Sequence, residues 1–173
     1  LNDVLDEGLS LHPLPEQRYS VANWRQIGLG IFGLADMLIK MGIEYGSDEA
    51  VMLSNKIGST MMDQALCASA CLAKEEGPFN NYNSKYILNN KMFIEHASAI
   101  TRNLVKQYGL RNSQLLTIAP TGSLSTMLGV SGGIEPIYDI SYTRKTESLY
   151  GEDKYYKVYT PIVDRFMKEY DIK

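Results

Sequence analysis

The residues best suited to bind a ligand lie in one short stretch, where an apolar run that favours a β-strand is followed by a small polar turn. The run ends at Pro120, and Thr121-Gly122-Ser123 follows directly before a segment with helical character. Amide N–H groups in the first turn of a helix lack backbone acceptors, and the helix dipole favours an anion there. Glycine allows close approach of a ligand, and the hydroxyls add donors. The stretch predicts a phosphate site, although a plain strand-to-helix connection uses the same residue types.

Neither of two common nucleotide-phosphate motifs describes this turn. No G-x-x-x-x-G-K-[ST] sequence occurs and no lysine follows the turn, which excludes a P-loop. A formal G-x-G-x-x-G is present at Gly28, Gly30 and Gly33. Helical periodicity from Ser20 to Met41 surrounds it, whereas a dinucleotide site needs a strand before the glycines. We interpret these glycines as points where a helix packs closely against a neighbouring element.

Other residues able to do chemistry have ordinary structural interpretations. Cys67 and Cys71 lie four residues apart on one predicted helix face, a poor geometry for a disulfide, and are interpreted as small buried residues. His12 and His96 lack metal-ligand spacing, so no metal site is expected. Glu135 either orients a ligand or caps local backbone groups, and we favour the capping role. Aromatic packing is preferred over radical transfer for four tyrosines, namely Tyr150, Tyr155, Tyr156 and Tyr159.

Charge and hydropathy limit the classes of partner. The 173 residues include 17 Lys and Arg against 20 Asp and Glu, a net charge of −3, so neither nucleic acid nor an anionic membrane is an expected partner. The longest apolar stretch, residues 27–41, contains Asp36 and Lys40 and is too short to span a bilayer. The first residues lack a signal-peptide pattern, which favours a reducing cytoplasmic location for the two cysteines.

The elements that position the turn are mostly helical, in a mixed α/β chain. Periodicity and capping residues predict helices at about 1–10, 20–41, 47–73 and 97–108, from the turn to about 128, and after Thr160-Pro161. Strands are predicted at 114–119 and 137–142, residues 79–95 have the composition of a loop, and residues 143–159 form a polar, tyrosine-rich region. The longest helix is predicted to bury Val51, Ile57, Met61, Ala65, Ala68 and Leu72.

Three segments taken together resemble a known family. They are Arg25–Leu38, Leu110–Ser113, and Leu116–Ser125 with Gly132–Pro136. In this order and spacing they are similar to the large, catalytic subunit of ribonucleotide reductase, and the similarity covers nearly all of the chain. The resemblance implies that residues 1–173 are a single fragment of the catalytic barrel domain, from the second half after the finger loop. The implied fold is part of a ten-stranded α/β barrel, helix-rich in this fragment.

The resemblance implies an oxidoreductase of deoxyribonucleotide biosynthesis, which supports DNA replication. Such enzymes reduce ribonucleoside diphosphates with a thiyl radical on a finger-loop cysteine, assisted by a Glu, an Asn and two further cysteines. The chain contains no Asn-x-Cys-x-Glu sequence, so no catalytic residue is expected here and the fragment alone is expected to be inactive. Neither Cys67 and Cys71 nor the pair Tyr155-Tyr156 matches a catalytic or radical-relay residue of the family.

The family role that falls on this chain is the substrate phosphate loop. In the family, the residues matching Pro120, Thr121, Gly122, Ser123 and Leu124 bind substrate phosphates through backbone N–H groups and hydroxyls. The implied ligand is a ribonucleoside diphosphate, with no metal or cofactor bound by this fragment. The full enzyme would need adenosylcobalamin or a metal-containing small subunit as its radical source. Further implied partners are the rest of the large subunit and a thioredoxin-type reductant. The alternative is a non-enzymatic helical scaffold or interaction module.

Overall fold

The chain divides into two units in the computed structural model, which describes residues 1–137, 139–146, 151 and 153–172. Unit 1 comprises Leu1–Gly30 and Val51–Thr117, and unit 2 comprises Ile31–Ala50 and Ile118–Lys173. The candidate turn lies in unit 2. No helix among the described residues is long and apolar enough to cross a membrane.

Helices dominate the described residues. In chain order they are α1 (Asn2–Gly8), α2 (Pro15–Trp24), α3 (Leu34–Met41), α4 (Asp48–Glu76), α5 (Ser84–Leu88), α6 (Lys91–His96), α7 (Ala99–Tyr108), α8 (Gly122–Leu128) and α9 (Pro161–Glu169). A 3-10 turn, Leu9–Leu11, continues α1. Two strands, β1 (Ser141–Thr146) and β2 (Lys154–Tyr159), pair in antiparallel register with Ser141 opposite Tyr159.

Capping residues set several helix ends where the sequence predicted them. Ser47 Oγ accepts a hydrogen bond from the backbone N–H of Ala50 at 3.2 Å and so caps the start of α4. Gly42 and Gly129, both in the left-handed conformation, end α3 and α8. Pro161 occupies the first turn of α9. These local signals succeed because each acts within a few residues of the helix end.

The predicted helix over residues 20–41 is wrong. Helix α2 ends at Trp24, an extended segment follows, and α3 begins only at Leu34. The segment pairs in parallel with residues 114–117: Ile27 N donates to Gln114 O at 3.0 Å, and two further bonds follow. The predicted strand at 114–119 is accordingly a single parallel bridge. Apolar residues from two short helices and the extended segment between them together had the spacing expected of one continuous helix.

The first two glycines of the G-x-G-x-x-G sequence permit this close pairing. A Cβ added to Gly28 would lie 2.8 Å from Thr117 Cγ2, and one added to Gly30 would overlap the carbonyl oxygen of Thr117. The expectation of close contact is therefore confirmed, but its partner is an extended backbone and the glycines are not inside a helix. Helical periodicity was therefore the wrong reason to reject a dinucleotide site at these glycines. Thr117 fills the space beside Gly28 and Gly30.

Two further boundaries differ from the prediction. Residues 79–95, predicted as a loop, contain α5 and α6, because Asn83 and Asn90 act as helix caps and not as loop residues. The strand predicted at 137–142 begins at Ser141, and Tyr138 lies outside the described residues. Strand β2 was not predicted, since its lysines and tyrosines give no clear apolar alternation.

The core of unit 1 is built on α4, α6 and α7. Its buried residues are Leu66, Ala70, Phe79, Phe93, Ala97, Val105 and Leu110. The predicted inner face of α4 is wrong: Val51 is 52% exposed and Ala68 is exposed, whereas Leu66 and Ala70 are buried. The burial stripe is shifted by about one residue, or roughly 100° around the helix. Small residues on both faces made the stripe ambiguous.

A buried polar network lies beside this core. Arg25, only 5% exposed, donates to Asp6 Oδ2 at 2.8 Å. The Asn112 amide donates to the carbonyl oxygen of Arg25 at 2.9 Å, while its own oxygen accepts from Ser69 Oγ at 3.1 Å. The hydrogen bond from Arg25 holds the pKa of Asp6 below its ordinary value, although burial opposes this shift. The network fixes Arg25, whose φ of 44° is left-handed.

Replacing Gly30 by Ala is expected to destabilise the protein by about 1–3 kcal/mol, the usual range for overpacking. The added methyl group would collide with the Thr117 carbonyl, and backbone cannot rotate away as a side chain can. Gly58→Ala is the matched control, because Gly58 lies in α4 with open space around it and Ala favours helix by about 1 kcal/mol. Urea unfolding measures both, and equal stabilities of the two variants would contradict the prediction.

Asp6→Asn is expected to lower stability near neutral pH, with the difference from the parent shrinking in acid. The folded pKa of Asp6 lies below its unfolded value of about 3.9, so its stabilisation is complete well above that pH and is lost as pH falls through the folded pKa. The effect should be modest, since the Asp6 side chain is 44% exposed. Unfolding midpoints across pH measure it, with Asp3→Asn on the same helix as control; a difference that persists in strong acid would refute the assignment.

Candidate functional site

The turn that the sequence predicts as an anion site forms the N-terminus of α8. Thr121 precedes the helix in a left-handed conformation, φ 51° and ψ 24°, and its carbonyl accepts from Ser125 N at 2.8 Å. The N–H groups of Gly122, Ser123 and Leu124 therefore precede the first intrahelical bond and have no acceptor within the helix. All three belong to exposed residues.

The hydroxyl groups of the turn divide into two sets. Ser125 and Thr126 donate to the carbonyl oxygen of Gly122 at 3.2 and 2.8 Å, so their hydrogens are already used. Ser123 Oγ has no hydrogen-bond partner among the described residues. Thr121 Oγ1 accepts from a backbone N–H at 2.8 Å and retains its own hydrogen. The turn thus presents amide donors and two hydroxyls, without a charged side chain between residues 115 and 129.

A second glycine pair supports the turn from behind. Gly133 N is the donor to Thr121 Oγ1, and a Cβ added to Gly133 would lie 3.1 Å from the carbonyl oxygen of Ala119. One added to Gly132 would lie 3.2 Å from the carbonyl oxygen of Pro120. Both glycines therefore allow the backbone of residues 119–121 to pass close by. Gly133 also has a left-handed φ of 46°, which favours glycine for conformational reasons.

Sequence reasoning missed the residues that anchor this glycine pair. Asp36 Oδ2 accepts from Ser131 N at 2.6 Å, and Ser131 Oγ accepts from Asp36 N at 3.4 Å. Asp36 is 4% exposed and had been noted only as an interruption of an apolar stretch. A carboxylate inside an apolar run was the available signal, since buried acids require partners. Its partner, 95 residues away, could not be found by local pattern.

Glu135 lies next to the same turn but shows no capping bond. Its Oε2 would be 3.6 Å from a Cβ on Gly132, while its backbone N donates to Gly132 O at 3.0 Å. Within the described part of the chain its carboxylate accepts no hydrogen bond. The five predicted site residues, 120–124, are contiguous on this exposed turn, and Leu124 is 52% exposed.

The remaining candidate residues are the two cysteines and the histidines. Cys67 and Cys71 are both free, and Cys71 is exposed, so the prediction that both are buried is wrong. Burial and the neighbouring Cys71 raise the pKa of Cys67, which disfavours a reactive thiolate. His96 Nδ1 lies 3.1 Å from Ser59 Oγ. Among the described residues, no group of three or more His, Cys, Asp or Glu could hold a metal ion.

The tyrosines of β2 are largely open to solvent. Tyr155 is 66% and Tyr156 50% exposed, whereas Tyr159 is partly buried with Lys157 Nζ 5.1 Å from its ring centroid. Stacking on another aromatic ring is not seen for these three tyrosines within the described ranges. Tyr150 lies outside the described residues.

Comparison with known proteins places this geometry in context. Residues 1–172 match the family model described as ribonucleotide reductase, barrel domain. The ribonucleoside-diphosphate reductase subunit alpha of Chlamydia pneumoniae is 32% identical over 159 residues, covering 80% of this chain and 15% of that protein. The large subunit of the Monkeypox virus enzyme is 34% identical, covering 98% of this chain and 22% of that protein. The vitamin B12-dependent ribonucleoside-diphosphate reductase of Mycobacterium tuberculosis is 36% identical, covering 83% and 18%.

These matches bear on both fold and extent. The family match and the mixture of helices and strands together support an α/β fold. The chain spans only 15–22% of the length of these curated relatives.

Gly133→Ala is expected to destabilise the protein more than Gly46→Ala. Both positions have positive φ, so each alanine carries a left-handed backbone cost of roughly 1–2 kcal/mol. Gly46 has open space around it, whereas at Gly133 the new methyl group would also press on the Ala119 carbonyl. Urea-unfolding midpoints measure the difference, which isolates the close approach behind the turn. Identical losses in the two variants would show that only the backbone conformation matters.

Proposed function

Because the chain belongs to the ribonucleotide reductase barrel-domain family, we propose that it forms part of the catalytic barrel of a large subunit that reduces ribonucleoside diphosphates. The proposed barrel is the ten-stranded α/β barrel of that family, to which residues 1–173 contribute a fragment of the second half, after the finger loop. Within it, the chain binds the substrate's phosphates at residues 120–124. The observation that carries the site is the exposed start of α8, where three amide donors lack helical acceptors.

The turn suits a diphosphate because several hydrogen-bond donors lie together at the start of a helix. Backbone N–H groups of Gly122, Ser123 and Leu124 would donate to phosphate oxygens, and the Ser123 hydroxyl would add a fourth donor. The partial positive charge at the start of α8 favours the phosphate charge. No lysine or arginine lies between residues 115 and 129, so the proposed contacts from the turn come from main-chain and hydroxyl donors.

In this proposal the bond-breaking chemistry is performed outside residues 1–173. The sequence lacks the Asn-x-Cys-x-Glu finger-loop motif, and Cys67, with its raised pKa, is poorly suited to replace it. The part represented here would therefore be inactive alone. Its proposed partners are the rest of the large subunit, the ribonucleoside diphosphate and a thioredoxin-type reductant, with no nucleic acid.

The radical source is proposed to be either adenosylcobalamin or a metal-containing small subunit. Relatives whose names specify vitamin B12 dependence and relatives named as alpha or large subunits are 32–36% identical to this chain, so identity does not select between them. Adenosylcobalamin or a metal centre would supply the radical that starts reduction.

Gly122→Val in the full-length protein tests the site. A Cβ at Gly122 meets no atom within 4 Å, so the fold should tolerate valine while the side chain narrows access to the amides. The expected result is a KM for ribonucleoside diphosphate raised by about fivefold to 150-fold, as for the loss of about 1–3 kcal/mol of hydrogen bonding. Steady-state kinetics measures it.

Gly58→Val provides the matched control. Gly58 also has open space around it but lies in α4, far along the chain from the turn. Its KM should equal that of the parent enzyme. An unchanged KM in Gly122→Val would reject the phosphate site and favour the scaffold alternative, in which the turn only connects two elements.

A further inference from the structure

We propose that Asp36 is a positioning residue for the phosphate turn and acts through Ser131. The inference rests on the proposed function, because it assigns a role in substrate phosphate binding to a residue outside residues 120–124. Asp36 lies in the first turn of α3, and all the contacts that carry the argument are within unit 2.

The start of α3 receives its cap from a distant segment. Gly33 is the N-cap residue of α3 and has no side chain to accept a first-turn N–H. Ser131 supplies the missing acceptor. Its Oγ accepts from Asp36 N at 3.4 Å, and its carbonyl oxygen accepts from Gly33 N at 2.9 Å. Asp36 Oδ2 in return accepts from Ser131 N at 2.6 Å. This is the reciprocal pattern of a capping box, with the serine supplied from 95 residues away.

The backbone on either side of Ser131 is hydrogen-bonded to α8 and to the residue that precedes it. Immediately before Ser131, Val130 N donates to Ser125 O at 3.0 Å, at the end of α8. Two residues after it, Gly133 N donates to Thr121 Oγ1 at 2.8 Å, at the start of α8. A fixed Ser131 therefore sets the position of the backbone that holds Thr121.

Thr121 needs such a hold because its own conformation is unfavourable. A β-branched residue at a φ of 51° is strained and persists only where its surroundings impose it. The backbone N–H of Gly133 donates a hydrogen bond to Thr121 Oγ1, and this bond restrains the Thr121 side chain. If Ser131 shifts, this bond weakens, Thr121 relaxes, and the amides of residues 122–124 turn away from a common ligand.

The charge of Asp36 exceeds what a simple cap requires. A neutral amide could accept from Ser131 N without the cost of burying a carboxylate. Asp36 is only 4% exposed, and its Oδ1 has no hydrogen-bond partner. It makes no salt bridge among the described residues. The charged acceptor gives a short, stronger bond to Ser131. We infer that this rigidity serves the turn.

The test uses the full-length enzyme with Asp36→Ala, Asp36→Asn and the control Asp48→Ala. Asp48 is an exposed acid in the first turn of α4. Each variant is assayed for KM and kcat with a ribonucleoside diphosphate, and for binding of the matching nucleoside, which lacks phosphates. Asp36→Ala should raise KM roughly tenfold, equivalent to about 1.4 kcal/mol, with little change in kcat or in nucleoside binding. Asp36→Asn, which keeps one acceptor oxygen, should recover part of the loss, and Asp48→Ala should match the parent.

The outcomes separate this inference from the proposed function. If Gly122→Val leaves the diphosphate KM unchanged, the phosphate site itself fails. If Gly122→Val raises KM and Asp36→Ala does not, only the role of Asp36 is overturned. Equal losses of diphosphate and nucleoside binding in Asp36→Ala also overturn it, because they indicate a general structural role. Should Asp36→Ala not fold, Asp36→Asn serves as the second variant, and a diphosphate KM equal to that of the parent rejects the inference, because the charged acceptor for Ser131 N is gone.

Discussion

Close approach of two backbones at glycine is the constraint on which the rest of this structure depends. In unit 1, Gly28 and Gly30 allow an extended segment to lie against Thr117. In unit 2, Gly132 and Gly133 allow another segment to pass behind residues 119–121. A single added carbon at Gly30 or Gly133 meets backbone, which cannot adopt a different rotamer. The pairing in unit 1 and the support of the turn in unit 2 both follow from this requirement.

The features predicted correctly from the sequence are those decided within one turn of chain. The helix end near residue 41, the helix start near residue 47 and the turn at residues 120–123 were predicted because capping and turn chemistry depend on a few neighbouring residues. The failures needed distant information. Residues 27–29 are not helical because they pair with residues 114–117, and Asn83 caps a helix that composition alone assigned to a loop. The face of α4 was misassigned because small residues suit several faces.

The candidate site shows the same division between local and distant causes. Its donors were predictable, since the start of a helix always exposes N–H groups. Its support was not, because the bond between Asp36 and Ser131 joins residues 95 positions apart. From the sequence, the glycine pair at residues 132–133 was identified only as part of a segment that resembles the family. Family resemblance named the ligand class, but the contacts of unit 2 explain how a strained threonine is held in place.

The use of main-chain donors in the turn has a consequence for how such sites are detected. Replacing Ser123 or Leu124 by alanine leaves every amide N–H in place, so a side-chain scan would pass over most of the proposed phosphate site. In the proposed site, ligand binding depends on the geometry of the main chain more than on the side chains at the point of contact. Searches for function that rank positions by their reactive side chains will therefore undervalue this turn, whereas amide-to-ester replacement would reveal it one donor at a time.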